Sequence, residues 1–290
     1  MNVDINSLQI DPIYHRSDRE IRLEFGRATT IDEVVLQLEL LIHDCIKSND
    51  RIGFFATLYH KVTVRVQEGI NRKEFENPAR MEKFDVIFAN RFLNAVQLFR
   101  DNKIPTMPWK LTFQSARKFD LLVVQHLMLG MNAHINLDLG IAAVESASGQ
   151  NVQEIRKDFN SINNILASMV LEVLTDLNQV SPFLSLFGLH SGNSSLVIQF
   201  SITNAREGSW AFAEELLAKK DFEYDSCINA RIDSIYKLGQ SLVEVRGLLN
   251  LTKWVIWAFE WKQPHKIINA MFEARKLYFH TDPKKEEVSS

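Results

Sequence analysis

The chain has 290 residues, of which 46% are hydrophobic and 24% are charged, a composition typical of globular proteins with a sizeable core. Its formal net charge of −3 lacks the basic surplus that nucleic-acid binding requires, so we expect no nucleic-acid partner. The two cysteines lie far apart in sequence, which argues against a disulfide framework or a cysteine-rich zinc site and favours a cytoplasmic location.

Membrane signals are weak in this sequence. The first twenty residues are polar, so we expect no signal peptide. No apolar run reaches the roughly 18 residues of a membrane span, and the candidate KWVIWAFEW at 253–261 is too short and contains Glu260. We therefore expect no membrane span.

Helical periodicity predominates along the chain, which contains only 11 glycines and 7 prolines. Thr30 is the predicted N-cap of the first helix, because Asp32 in the next turn complements the helix dipole. VTVRV, inside the second segment, fits a strand as well as a helix. The segments with a helical pattern are, in chain order, residues 29–50, 53–70, 79–102, 115–146, 152–180, 204–220, 229–249 and 266–279.

These segments predict an all-α fold. We expect a single multi-helix domain over residues 1–280, with its helices packed around a central polar-lined pocket. Residues 281–290 read TDPKKEEVSS and are mostly polar and charged. We expect them to form a disordered C-terminal tail.

The segment QHLMLGMNAHINLDLGIAAVE at 125–145 carries polar residues inside an apolar pattern. On a helix His126 and His134 share a face, and Asp138 lies one turn after His134, where its carboxylate can orient the imidazole. Such a set fits a metal site, a metal-free acid/base site or a buried polar network that ties helices together. The sequence leaves these three interpretations open.

The same segment contains a second polar pair and a glycine. Asn132 and Asn136 are also one turn apart, on a different face, and at least one of them is expected to bond a neighbouring helix. Gly130 lowers the stability of a helix interior, so we expect it either to admit a close neighbour or to break the helix.

Polar residues recur inside other apolar helices, as expected if several helices surround one polar cavity. Arg91 and Arg206 are predicted to hold an anionic group or to stabilise developing negative charge. Arg206 or Glu207 lies one turn before Trp210 and can touch its indole. The predicted substrate-binding residues are Asn132, Asn136, Glu82, Asp85, Glu207, Trp210 and Tyr59.

Four segments together resemble a family of uncharacterised bacterial proteins that carries a GMNAHINxDL signature. The sequence departs from that family at Phe54 and Phe92, where tyrosine is usual. The resemblance implies one helical domain and supplies no activity. Its segments are DRIGFFATLYHKVTVRV at 50–66, FENPARMEKFDVIFANRF at 75–92, LLVVQHLMLGMNAHINLDLGIA at 121–142 and REGSWAFAEEL at 206–216.

A fainter resemblance links HLMLGMNAH to the zinc-binding helix of the all-helical family of zinc-dependent phospholipase C and single-strand nucleases. In it, His126, Gly130 and His134 fall near the first histidine, the glycine and the second histidine of that family's motif. The spacing is one residue longer on each side of the glycine, and the family's N-terminal tryptophan ligand is absent. Met131 and Asp138 stand where the family has aspartate and a final histidine, so a trinuclear zinc site is not expected.

The leading hypothesis is an enzyme whose catalytic residues are His134, Asp138, His126, Arg91 and Arg206. A divalent metal (zinc, manganese or iron) bound by His126, His134 and Asp138 would then assist hydrolysis of an ester or phosphoester. One alternative is a metal-free lyase, isomerase or cyclase that acts on a small hydrophobic metabolite. Another is a non-catalytic helical binding module with a structural His/Asn network. We expect a partly apolar small molecule as substrate.

Overall fold

The structure, a computed structural model, describes residues 25, 27–147, 152–184 and 202–278. The described residues form eleven α-helices and no strand, which confirms the all-α class. The predicted tail at 281–290 and the polar first twenty residues lie outside the described residues. That residues 1–280 form one domain stays a prediction.

The helices are numbered in chain order. A π-helical turn, His134–Asp138, joins the fifth helix to the sixth, and a 3₁₀ turn, Val152–Ile155, precedes the seventh. The helices are α1 (Ile31–Ser48), α2 (Ile52–Asn71), α3 (Pro78–Arg100), α4 (Met107–Ala116), α5 (Val123–Ala133), α6 (Leu139–Ala147), α7 (Arg156–Val180), α8 (Ile202–Leu217), α9 (Asp221–Val243), α10 (Leu248–Phe259) and α11 (Pro264–Tyr278).

The ends of α1 follow the expected capping chemistry. The Thr30 side chain accepts a hydrogen bond from the Glu33 amide at 3.2 Å, which confirms the predicted N-cap. Asn49 ends the helix in the left-handed conformation, with φ 56°. The strand alternative for VTVRV is wrong, because residues 62–66 lie inside α2.

The predicted helix at 115–146 is in fact several elements. Its first two residues belong to the end of α4, and Pro108 sits in the first turn of that helix, where its missing amide does no harm. A new helix then begins at Val123, whose amide donates to the Glu260 carboxylate at 3.1 Å. This carboxylate, brought by a distant part of the chain, fixes the start of α5.

The segment from α5 through the π turn to α6 occupies the centre of the molecule. It contacts α2, α3, α4, α8 and α9, so most of its side chains are buried. Large side chains that are fully buried fill the space around it, including those of Trp109, Phe54, Phe84, Phe92 and Phe113. This central position explains why the segment is apolar almost throughout.

One stretch of the described chain, Val123–Ala147, is long and apolar enough to cross a membrane by length and composition. Of its most apolar 18-residue window, 83% is buried inside the molecule. That is the property expected of a core segment, so the finding is weak evidence for a span.

Candidate functional site

The π turn places His134 and Asp138 at its two ends, in the middle of the molecule. A π turn inserts an extra residue into a helix and is frequent at functional sites. Here it leaves the Nδ1 atom of His134 3.7 Å from the Oδ2 atom of Asp138. Both side chains are almost completely buried, and the distance exceeds that of a hydrogen bond. The predicted His134–Asp138 pair therefore forms as a close contact.

Asp138 is held by two donors from other helices. Arg91 Nε of α3 donates to its Oδ1 at 3.1 Å, and Trp109 Nε1 of α4 donates to its Oδ2 at 2.7 Å. Burial opposes ionisation, but His134, Arg91 and Trp109 outweigh it and hold the pKa of Asp138 below its ordinary value. The buried carboxyl group is therefore an anion at neutral pH, compensated mainly by Arg91.

His134 is enclosed by aromatic rings. Phe88 stacks on the imidazole with ring centres 3.6 Å apart, and Tyr59 meets it edge-on at 4.4 Å. Neither ring nitrogen of His134 has a hydrogen-bond partner among the described residues. Burial lowers the pKa of His134, although Asp138 opposes that effect. The imidazole is therefore neutral near pH 7, with nitrogen atoms available to a ligand.

A cavity of about 230 Å³, partly open and called the inner cavity below, lies on one side of His134. Its walls are mostly apolar side chains of α2, α3, α5 and α7, several of which are only half-buried. The lining of this cavity is mostly apolar, and the central polar-lined pocket stays a prediction. The polar side chains that line it are Tyr59, Asp85, His134 and Arg206.

Asp85 is the most unusual of these polar side chains. It is buried, and its Oδ2 atom has no hydrogen-bond partner among the residues that the structure describes. Burial, helped by the charge of Glu82, raises the pKa of Asp85 to about 7. The hydroxyl group of Tyr59 is likewise buried and unbonded, and burial raises its pKa well above the ordinary value. Groups of this kind commonly mark functional sites.

A surface cleft of about 330 Å³ lies on the other side of Asp138. Asp138, Trp109 and Arg91 line this cleft, and Arg91 Nη1 also donates to the exposed Glu145 at 3.0 Å. Asp138 therefore separates the inner cavity, which His134 lines, from a polar opening at the surface.

The structure does not assemble the predicted metal site. In the described ranges, no three His, Cys, Asp or Glu side chains lie close enough to hold a metal ion. His126 instead contacts Phe54 edge-on, with ring centres 5.6 Å apart, and burial lowers its pKa to about 3. Phe55 packs against the Gly130 backbone between the two histidines, so a Cβ atom at Gly130 would lie 2.3 Å from it. Gly130 is thus the predicted point of close approach.

The two asparagines bond helices together rather than line a cavity in the described molecule. Asn136 Nδ2 donates to Asn132 Oδ1 at 3.0 Å, and Asn132 Nδ2 donates to the Ile235 carbonyl of α9 at 2.9 Å. This is the structural bonding expected for at least one of them. Their predicted role in substrate binding has no support in this arrangement.

Arg206 lies at the far wall of the cavity, away from Asp138. Its guanidinium covers the ring of Phe159 at 4.2 Å and donates to Asn163 Oδ1 at 2.6 Å. Burial lowers the pKa of Arg206 to about 9. The predicted contact with Trp210 is made by a different arginine, Arg156, whose guanidinium lies 4.6 Å from the indole centre.

Two predicted substrate-binding acids have structural partners. Glu207 is exposed and pairs with Arg156 at 2.7 Å. Glu82 accepts a hydrogen bond from the first amide of α1, that of Ile31, at 3.1 Å. Of the predicted substrate-binding residues, Tyr59 and Asp85 are the two that line the inner cavity.

Two parts of the site were not predicted from the sequence. Trp109, the second donor to Asp138, lies between the predicted helices at 79–102 and 115–146, where Pro105 and Pro108 indicate a helix end. The segment 152–180, which contains Leu166 and Val173, was predicted as a helix but not as the lining of a cavity. The continuous apolar stripe of α7 was the available signal.

Comparison with known proteins yields one match. A family model described as "Family of unknown function (DUF5995)" matches residues 31–245. The matched range contains the π turn, all residues that line the cavity, and the cleft lining except Phe25 and Arg27. No curated protein and no solved structure matches, and the faint likeness to the phospholipase C family finds no support.

Proposed function

We propose that this chain, which belongs to the family of unknown function DUF5995, binds a small apolar molecule with one polar group and moves a proton on it. One observation carries the proposal. The inner cavity of about 230 Å³ is apolar except for a few buried polar groups. Among these, Asp85 Oδ2 and both ring nitrogens of His134 have no hydrogen-bond partner within the described residues. Apolar cavities with a few converging polar groups are typical small-molecule sites.

Asp85 is suited to act as the base. With a pKa of about 7, its carboxyl group exchanges a proton near neutral pH, and its apolar surroundings favour proton uptake. In a bound ketone it would take a proton from the carbon next to the carbonyl group. The C–H bond breaks, an O–H bond forms on Asp85, and the electron pair moves onto the carbonyl oxygen as an enolate.

Tyr59 is suited to stabilise that oxygen. A phenol with a raised pKa keeps its proton and donates a hydrogen bond, and the Tyr59 side chain lines the cavity. Asp138 is a positioning residue for His134, because its carboxylate faces Nδ1 and favours the tautomer that carries a proton there. In that tautomer Nε2 of His134 is a hydrogen-bond acceptor, suited to a hydroxyl or amide group of the bound molecule.

This arrangement favours a metal-free isomerase or lyase over metal-assisted hydrolysis. The three predicted metal ligands do not converge, whereas a carboxyl group with a raised pKa faces an apolar cavity. A non-catalytic binding module would use the same cavity without chemistry.

Hydrogen–deuterium exchange tests the chemistry. With 2-tetralone, an apolar bicyclic ketone, in D2O, we expect the protein to accelerate deuterium incorporation next to the carbonyl group, as followed by NMR. Asp85→Asn should reduce this acceleration by roughly 10²-fold. Asp225→Asn, the same change at an exposed site on α9, should leave it unaltered. If the wild-type protein binds 2-tetralone but deuterium exchange stays at the uncatalysed rate, the protein is a binding module instead.

A further inference from the structure

Helix α10 exposes a large apolar surface. Its twelve residues and the turn that follows carry bulky side chains that stay well exposed, although the ring of Phe183 meets that of Phe259 with centres 5.1 Å apart. Single exposed apolar residues are ordinary, but a cluster of them marks an interaction site. The α10 face is defined by Leu248, Leu251, Trp254, Val255, Phe259 and Trp261, which are 79%, 63%, 46%, 42%, 59% and 39% exposed.

A neighbouring loop extends the α10 face. Phe119 is 71% exposed, and its carbonyl accepts a hydrogen bond from Trp257 Nε1 at 2.9 Å. The ring of Trp257 in turn meets that of Trp254 with centres 5.4 Å apart. Two indoles thus meet at the surface beside the backbone of an exposed phenylalanine.

The charges around the α10 face are unbalanced toward positive. From Leu248 to Lys262 the only acidic residue is Glu260, which is 6% exposed and points inward to the Val123 amide. Asp120, which follows Phe119, pairs with Lys253 at 3.5 Å. Lys118 and Lys262 are exposed, and no ion pair forms with either among the described residues. The Lys262 ammonium lies over the Trp257 ring and donates to the Trp257 carbonyl, so its charge is held at the edge of the α10 face.

We propose that the α10 face docks on an anionic lipid surface. Tryptophan side chains favour the boundary between lipid and water, and lysines beside them are attracted to anionic headgroups. Twelve residues are fewer than the roughly 20 that a membrane span requires, so α10 would lie along the surface. In a symmetric dimer two copies of this face would meet and their positive charges would repel, so the face matches an acidic membrane better than a second copy of the chain. The proposal is independent of the proposed function.

Vesicle co-sedimentation tests the proposal. We expect the full chain to bind vesicles of phosphatidylcholine and phosphatidylserine, mixed at about 3:1, several-fold better than pure phosphatidylcholine. Binding should weaken when NaCl rises from about 0.1 M to about 0.5 M, because salt screens the attraction. The double variant Leu251→Ser/Trp254→Ser should lose about tenfold or more in affinity. Lys118→Glu/Lys262→Glu should abolish the preference for phosphatidylserine.

A matched control removes two exposed apolar side chains elsewhere. Ile104 and Phe222 are 73% and 83% exposed, and Ile104→Ser/Phe222→Ser should bind vesicles as the wild type does. Equal loss in both double variants, or no vesicle binding by the wild type, would overturn the proposal. Light scattering distinguishes the other occupant. If the wild type does not bind vesicles but forms a dimer, and Leu251→Ser/Trp254→Ser dissociates that dimer, the α10 face binds a second copy of the chain instead. Circular dichroism of each variant confirms that it folds.

Discussion

The Asp85 carboxyl group is buried where ionisation is unfavourable. The free energy of unfolding therefore depends on pH. The pKa of Asp85 rises from 3.8 to about 7 on folding. Between these values the folded state holds a proton that the unfolded chain has released, so stability falls as pH rises from about 4 to about 7 and is constant above. From pH 5 to pH 8 the expected loss is roughly 3 kcal/mol.

Urea unfolding of Asp85→Asn at several pH values measures this dependence. The variant should lose less stability than the wild type as the pH rises. Glu260, whose pKa burial also raises to about 7, contributes a slope of the same sign, so part of the dependence should remain. Parallel stability curves for the variant and the wild type would show that Asp85 ionises normally.

Arg91 binds two carboxylates that differ in burial, and this offers a matched comparison. Asp138 is buried, whereas Glu145 has a side chain that is 45% exposed. Asp138→Asn removes the charge that compensates Arg91 inside the molecule and should cost roughly 3 kcal/mol of unfolding free energy. Glu145→Gln should cost at most about 1 kcal/mol, because water screens that pair. Equal losses in denaturant unfolding would contradict the assigned role of Asp138.

At the scale of elements, Gly130 shows how packing overrides helix propensity. Alanine normally stabilises a helix interior by about 1 kcal/mol relative to glycine. At Gly130, however, the new Cβ atom would lie 2.3 Å from Phe55, so Gly130→Ala should destabilise the protein by roughly 1–3 kcal/mol. Gly208→Ala meets only Arg231, at 3.9 Å, and should be neutral or stabilising. Thermal unfolding of both variants checks the contrast, and equal shifts would contradict it.

Which elements the sequence could predict depends on how local their causes are. Thr30 and the regular apolar pattern after it specify α1 without help from the rest of the chain. The break before Val123 depends on Glu260, 137 residues away, so no local pattern reveals it. The π turn at His134–Asp138 likewise depends on Arg91 and Trp109, which reach Asp138 from other helices.

At the scale of the whole molecule, the polar side chains assigned to one pocket lie, in the described part of the chain, in several separate environments. Helical spacing correctly paired His134 with Asp138 and Asn132 with Asn136, because both relations are local. It could not tell which neighbouring helix each side chain meets. As a result, His126, Glu207 and Glu82 were assigned to the site. In the described part of the chain, none of the three lines the inner cavity. A cytoplasmic location stays a prediction.

The inner cavity is central to this account, and ligand binding tests it most directly. We expect ligand-observed NMR titration to show saturable binding of 2-tetralone to the wild-type protein. Val173→Trp, which fills the cavity from α7, should abolish binding, whereas Leu36→Trp, at an exposed position of α1, should preserve it. Loss of binding in Val173→Trp alone is the predicted result. Equal binding by both variants, or none by the wild type, would contradict a ligand site in this cavity.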